Sequence, residues 1–186
     1  YTSSDFMDGY RKIYLPTIKR LLWVGTQQTR FVVTDLEARV VQSFGKYPFQ
    51  DEYEAQKINY QNIGMAFQGT FRSNLKGDKV VFATKNSNSI SFLKINADSS
   101  VSIVKEYHFN KPDVTFSKES NEYYASLTPD AKLGYTYLYA TDEYVYALHS
   151  GKKISDGFQQ AQSGDTIEVF DWDGSPVYRI KLDQAV

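Results

Sequence analysis

The chain has 186 residues, enough for one domain with a substantial core, and its 21 Lys and Arg against 22 Asp and Glu leave a net charge of -1, without the basic excess of a nucleic-acid binder. Apolar residues make up 41% and aromatic residues 16%, with 15 Tyr and 12 Phe, a composition that leans towards strands. There is no Cys, which removes disulfides, thiolate metal sites and Cys nucleophiles, and no apolar run approaches the ~20 residues of a membrane helix.

Tyr1 to Gly9 is polar and aperiodic and reads as an entry segment; the chain opens on Tyr1 rather than Met, so it reads as a processed chain or an excised piece, with no signal peptide visible. Ile13-Tyr14-Leu15 and Leu21-Leu22-Trp23-Val24 are short strand candidates, the first limited by Pro16 to an edge or a strand end. Arg30 to Phe44 reads as a hairpin, with a turn at Asp35 to Ala38 and an end punctuated by Gly45 and Pro48. Gln50 to Lys57 is a charged surface loop or short helical turn. Ile63 to Phe71, with Met65, Phe67 and Phe71 alternating with polar or small residues, opens a run of four strands. The others are Lys79–Thr84, Ser89–Ile95 and Val101–Phe109, with tight turns between them. Pro112 to Ser120 is a connection, and Tyr123–Leu127, Tyr135–Thr141 and Tyr144–His149 are further strands. Gly151 to Gly164 is a polar, exposed insertion. Thr166 to Leu182 ends the chain as a hairpin around Asp173-Gly174-Ser175-Pro176.

The pattern of apolar strand, acidic or amide turn, small residue and apolar strand occurs three times: at Phe31–Val41, Phe92–Ile103 and Val169–Tyr178. The strands upstream also match, Val80–Thr84 with Tyr144–Leu148. Groups of four short antiparallel strands at a period near 40–50 residues predict an all-β chain folded as a β-propeller. An ordinary sandwich or up-and-down barrel is the alternative, but its strands need not repeat in fours. The blades fall at about 10–48, 60–112 and 122–183 within a single partial propeller domain. A closed ring needs about 4–8 blades, so three form an arc whose open faces invite association: a half propeller that pairs as a homodimer or with the missing half.

Phe170-Asp171-Trp172-Asp173-Gly174-Ser175-Pro176-Val177 resembles the TolB-like six-bladed propeller proteins of bacteria, and so do Phe31–Asp35, Val40–Gly45 and Asp142–Gly151. The resemblance covers most of 20–183, and the family's domain is roughly twice this length. It implies a periplasmic, cell-surface or extracellular bacterial protein that acts by binding, with a signal or lipid anchor removed or outside the chain. It carries over no catalytic residues and no cofactor.

The residues themselves offer weak chemistry. His149-Ser150 with Asp142 suggests a Ser-His-Asp set, but neighbours in a strand point to opposite faces, and no Gly-x-Ser-x-Gly elbow is present. Asp171-x-Asp173-Gly174 resembles part of a calcium loop, yet position twelve is Leu182 rather than Glu, so a turn held by local Asp hydrogen bonds is the simpler reading. His108 and His149 are too far apart in sequence to suggest a zinc site, and Lys152-Lys153 is a solvated loop end. Tyr123, Tyr124, Tyr135, Tyr137, Tyr139, Tyr144 and Tyr146 read as one packed face between blades, with stacking for sugars or peptide side chains as the alternative.

No catalytic or metal residue is therefore assigned, and the ligand-binding residues stay unassigned beyond the loops Gln50–Lys57 and Gly151–Gly164. The expected function is a non-catalytic binding module of the bacterial envelope for a protein or glycan ligand, without nucleic acid, membrane span or cofactor. Two alternatives stand beside it. One is a metal-dependent sugar-lactonase-like hydrolase, for which Glu168, Asp171, Asn86 and Asn96 are available residue types that no spacing singles out. The other is a purely structural half-ring that assembles with a partner chain.

Overall fold

The computed structural model describes residues 11–25, 27–120 and 122–186; the entry segment Tyr1 to Gly9 lies outside the described residues. The architecture is three four-stranded antiparallel meanders and one separate hairpin. The first sheet is β1 (Arg11–Leu15), β2 (Arg20–Val24), β3 (Phe31–Thr34) and β4 (Val40–Phe44). The second is β5 (Gly69–Ser73), β6 (Lys79–Thr84), β7 (Ser89–Ile95) and β8 (Val101–His108). The hairpin pairs β9 (Val114–Glu119) with β10 (Glu122–Leu127). The third sheet is β11 (Tyr135–Ala140), β12 (Tyr144–His149), β13 (Thr166–Asp171) and β14 (Pro176–Lys181). The expected first strand of the last unit, Tyr123–Leu127, is thus taken from it. That segment folds back on Val114–Glu119, the stretch read as a connection, and Tyr135–Ala140 heads the sheet instead.

The repeated turn is the same object in each blade. Asp35, Asn96 and Asp171 each donate their backbone N–H to the carbonyl four residues on, at Arg39, Ser100 and Ser175. Each also accepts from the N–H three residues on, at Ala38, Ser99 and Gly174. Those third residues have φ of 64°, 65° and 81°, and the adjoining ladder slips register each time. This is a type I turn closed by a left-handed residue and a bulge. At Gly174 a Cβ would also meet Lys105 Cβ at 2.6 Å.

Two apolar layers join the blades. Leu15, Leu22, Val24, Phe31 and Val33 of the first sheet pack against Phe71, Val80, Phe82, Leu93 and Val101 of the second. Phe31 lies edge-on to Phe82 at 6.0 Å, an arrangement that favours aromatic quadrupoles. Val81, Ala83, Ile90 and Phe92 on the opposite face of the second sheet pack against Leu138, Ala140, Val145, Ala147 and Phe170 of the third. Alternation along each strand supplies both layers, since the middle sheet is buried on both faces.

In the connection from β4 to β5 lie two helices, α1 (Gln50–Ala55) and α2 (Tyr60–Ala66). The strand expected from Ile63 therefore begins only at Gly69. Asn59 caps α2 by accepting from the N–H of Gln61, and Ile63, Ala66 and Phe67 bury at helical spacing. With Tyr47 and Tyr53 they form a third core, against which Val114, Phe116 and Ala125 of the hairpin pack. Asn62 ties the lobe together by donating to the carbonyls of Ser117 and Tyr124.

Candidate functional site: the channel wall and its decorated mouth

Each meander puts its first and third turns at one end and its second at the other, where the chain also crosses to the next sheet. At the first end all turns are tight: 16–19, 35–39, 74–78, 96–100, 141–143 and 172–175. At the second end stand the α1–α2 lobe (45–68), the β9–β10 connection (109–134) and the insertion 150–165, which carries a 3-10 helix at Ile154–Asp156 and α3 at Phe158–Gln162. The elaboration is one-sided. The loops Gln50–Lys57 and Gly151–Gly164 both lie at this end.

The first strands of successive sheets approach one another, β1 with β5 and β5 with β11, and so form the wall of the central channel. Between β1 and β5 a groove of about 480 Å³ runs along Arg11–Ile13 and Thr70–Ser73. Arg11 Nε donates to the carbonyl of Gly69 at 3.2 Å. A Cβ on Gly69 would stand 2.1 Å from the Ala83 carbonyl, so only glycine lets β5 start this close to β6. Arg72 donates through Nε to the Leu138 carbonyl at 3.1 Å and through Nη1 to its neighbour Phe71 at 2.9 Å. Its guanidinium lies over the Tyr137 ring at 5.9 Å. At the mouth, Lys85 donates to Gln162 at 3.0 Å and its ammonium stands 5.5 Å from the Phe158 ring centre, which joins the second blade to α3. Burial, and then the positive charge of Arg11, lower the pKa of Lys85.

The residues singled out for catalysis do not converge. Asp142 lies at the tight-turn end, accepting from the N–H of Lys76, whereas His149 closes β12 at the other end. Ser150 turns from His149 and donates to the Ala161 carbonyl at 2.6 Å. His149 packs against the Tyr135 ring at 5.8 Å, and burial holds its pKa below the ordinary value. The proposed calcium-loop residues close a turn: one carboxylate oxygen of Asp171 accepts from the N–H groups of Asp173 and Ser175. Trp172, absent from the other turns, is buried and donates Nε1 to the Thr141 carbonyl at 2.9 Å, locking two turns of one blade together.

Glu168, Asp171, Asn86 and Asn96 are also dispersed. Glu168 accepts from the Tyr135 hydroxyl at 2.7 Å and from Arg179 at 2.8 Å. Asn96 donates to Ser100 in its own turn and to Ser102 at the start of β8, and Asn86 is buried at the opposite end of the sheet. Among the described residues no three His, Asp or Glu side chains come together. Lys153 pairs with Asp130 at 2.7 Å, and Lys152 donates to Ser163.

The tyrosines divide. Tyr135 is buried between blades, Tyr123 and Tyr124 belong to the hairpin, and Tyr137, Tyr139, Tyr144 and Tyr146 share the face of the third sheet turned away from the second. That face, with Tyr178 over buried Val169, is where a fourth blade would stack; Tyr139 is 57% exposed. Sequence reasoning missed Arg11, Arg72 and Lys85 because a single cation in a strand is unremarkable; the signal was the lack of any Asp or Glu in β1, β5 and β11.

Three meanders set side by side around a common channel, with the outer face of the third left open, define a partial β-propeller. The chain belongs to the TolB-like 6-blade propeller-like family, whose model matches residues 6–186. No curated protein matches it. Among solved structures it is similar to the Cps50 (Swd1) β-propeller domain of Myceliophteria thermophila, at 12% identity and TM-score 0.50, over 91% of this chain and 42% of that one. A Lactobacillus plantarum protein matches at 9% identity and TM-score 0.35, over 95% and 56%. The periplasmic gluconolactonase PpgL of Pseudomonas aeruginosa matches at 9% and 0.36, over 95% and 55%. The chain spans about half the length of these proteins, and the likeness to the first concerns the fold.

Proposed function

We propose that the chain is a non-catalytic binding module of the bacterial cell envelope, periplasmic, cell-surface or extracellular, which recognises a protein or glycan at the decorated mouth of its channel. The observation that carries this reading is the one-sided placement of every long connection, beside a wall of first strands on which the described residues gather no cluster of His, Asp and Glu. Binding residues concentrate on loops held by a rigid scaffold, and the α1–α2 lobe has a core of its own to hold its shape. Family membership supports the envelope location, and no described helix is long and apolar enough to cross a membrane. The open face of the third blade supports assembly into a ring, either with a second copy or with the missing half.

The test is a binding screen of the chain against envelope proteins and surface polysaccharides, repeated with residues 152–162 replaced by a short Gly-Ser linker. Retention of a ligand by the native chain and its loss in the shortened variant are expected. A screen that returns nothing, or binding indifferent to the replacement, sinks the reading.

A further inference from the structure

Arg11 and Arg72 occupy the same place in successive blades. Arg11 pairs with Val24, which pairs with Phe31; Arg72 pairs with Val81, which pairs with Phe92. Phe31 and Phe92 each stand four residues before the repeated turn residue, Asp35 or Asn96. By the same count the third blade has Tyr137, through Leu148 and Ile167. One tier of the channel wall thus reads Arg, Arg, Tyr. Each arginine reaches to the first strand of the next blade, using Nε to hold a backbone carbonyl. This fixes the guanidinium planes and leaves the Nη groups of Arg11, and Nη2 of Arg72, without a protein acceptor among the described residues.

Among the described residues no carboxylate compensates the charge at this tier. Arg11, Lys12, Arg72 and Lys85 form no ion pair with the described carboxylates, and β1, β5 and β11 contain no Asp or Glu. Elsewhere the chain does pair its cations, as at Arg30–Glu106 and Arg179–Glu168. Arg11, Lys12 and Arg72 line one groove, where like charges repel, and an oxyanion held by a planar fork of donors relieves that repulsion. Tyr137, 57% exposed beside Arg72, adds a flat apolar surface of the kind that stacks on a sugar ring.

We propose that this tier is an anion site: Arg11 and Arg72 bind the carboxylate or phosphate of an acidic sugar, Lys85 supplies long-range attraction from the mouth, and Tyr137 stacks on the ring. The inference rests on the binding-module reading and names the ligand chemistry.

Titration calorimetry of the chain with tetragalacturonate, glucose 6-phosphate and neutral maltotetraose tests it. One of the two acidic ligands binds, and its affinity falls as salt rises from 50 to 500 mM; whichever it is identifies the oxyanion. Arg11→Gln and Arg72→Gln each weaken binding by about tenfold or more, since each removes a charged hydrogen-bond donor. Lys94→Gln, exposed on β7 near the tight-turn end, leaves it unchanged. Should a Gln variant melt below the native chain, Arg11→Lys and Arg72→Lys are read instead; they keep the charge, lose the fork and retain a several-fold defect. Three results overturn the proposal: no binding of either acidic ligand, equal binding of maltotetraose, or arginine variants that bind like the native chain. If envelope ligands still bind through the loops while acidic sugars do not, only this inference falls; if nothing binds, both fall.

Discussion

Arg30, just before β3, has no exposed surface, and its guanidinium packs against the rings of Phe31 and Phe82 at 4.8 and 5.4 Å. Nη1 donates to Glu106 at 2.8 Å and to Ser91 at 3.0 Å, so one charged contact crosses the junction of the first two blades. Burial lowers the pKa of Arg30. For Glu106 burial acts upward, but His108, Arg30 and Ser91 outweigh it and hold the carboxyl below its usual range. Removing one member strands the other, whereas replacing both by apolar groups need not. Glu106→Gln is expected to destabilise the chain by about 3 kcal/mol, at the low end for a buried pair because Glu106 keeps some solvent contact. Arg30→Met with Glu106→Leu is expected to cost less than the single change. Urea unfolding of the three proteins checks the order.

His149 makes a pH-dependent contribution. Burial, only partly offset by Glu168, lowers its folded pKa below the unfolded value of about 6.5. Above that value the ring is neutral in both states and costs nothing. As pH falls below about 6.5 the unfolded chain takes up a proton that the folded one resists, so stability is lost. The melting temperature of the native chain should therefore fall, relative to that of His149→Gln, between pH 7.5 and 5. An unchanged difference across this range refutes the assignment.

At the scale of the element, the repeated turn is held by side chains as well as backbone. Asp35 and Asp171 each use one carboxylate oxygen to accept two N–H groups of the turn that follows. Asp171→Ala leaves those donors to water and is expected to cost about 1 kcal/mol. That corresponds to about 2–4 °C in a chain of this size, read by thermal melting. Asp171→Asn keeps an acceptor and should recover most of it. These turns were legible in the sequence because a three-residue loop needs a short acceptor at its start and a residue tolerant of positive φ at its end. The α1–α2 lobe was not. Met65, Phe67 and Phe71 alternate well enough for a strand, and only the equally present Ile63, Ala66 and Phe67 spacing, with Asn59 as cap, marks the helix that packing selects.

At the scale of the molecule, the first two blades each bury the face they turn to the next, and the third does not. Tyr137, Tyr139, Tyr146 and Tyr178 lie on that open face. The proposed pairing of half-rings predicts a dimer in sedimentation equilibrium and a shift towards monomer in Tyr139→Arg, which places a charge on the stacking surface. A native chain that stays monomeric at high concentration removes the pairing.

By itself the sequence determined most of the strands, the recurring turns and hence the propeller and its open arc. Each of these follows from period-two alternation and local turn chemistry, which neighbouring residues settle among themselves. Only the tertiary structure decided that Tyr123–Leu127 leaves the third blade for a hairpin, that the long connections gather at one mouth, and that Arg11, Arg72 and Tyr137 share a tier. The last of these joins residues about 60 positions apart. Blade packing alone sets their register, and no local pattern encodes it.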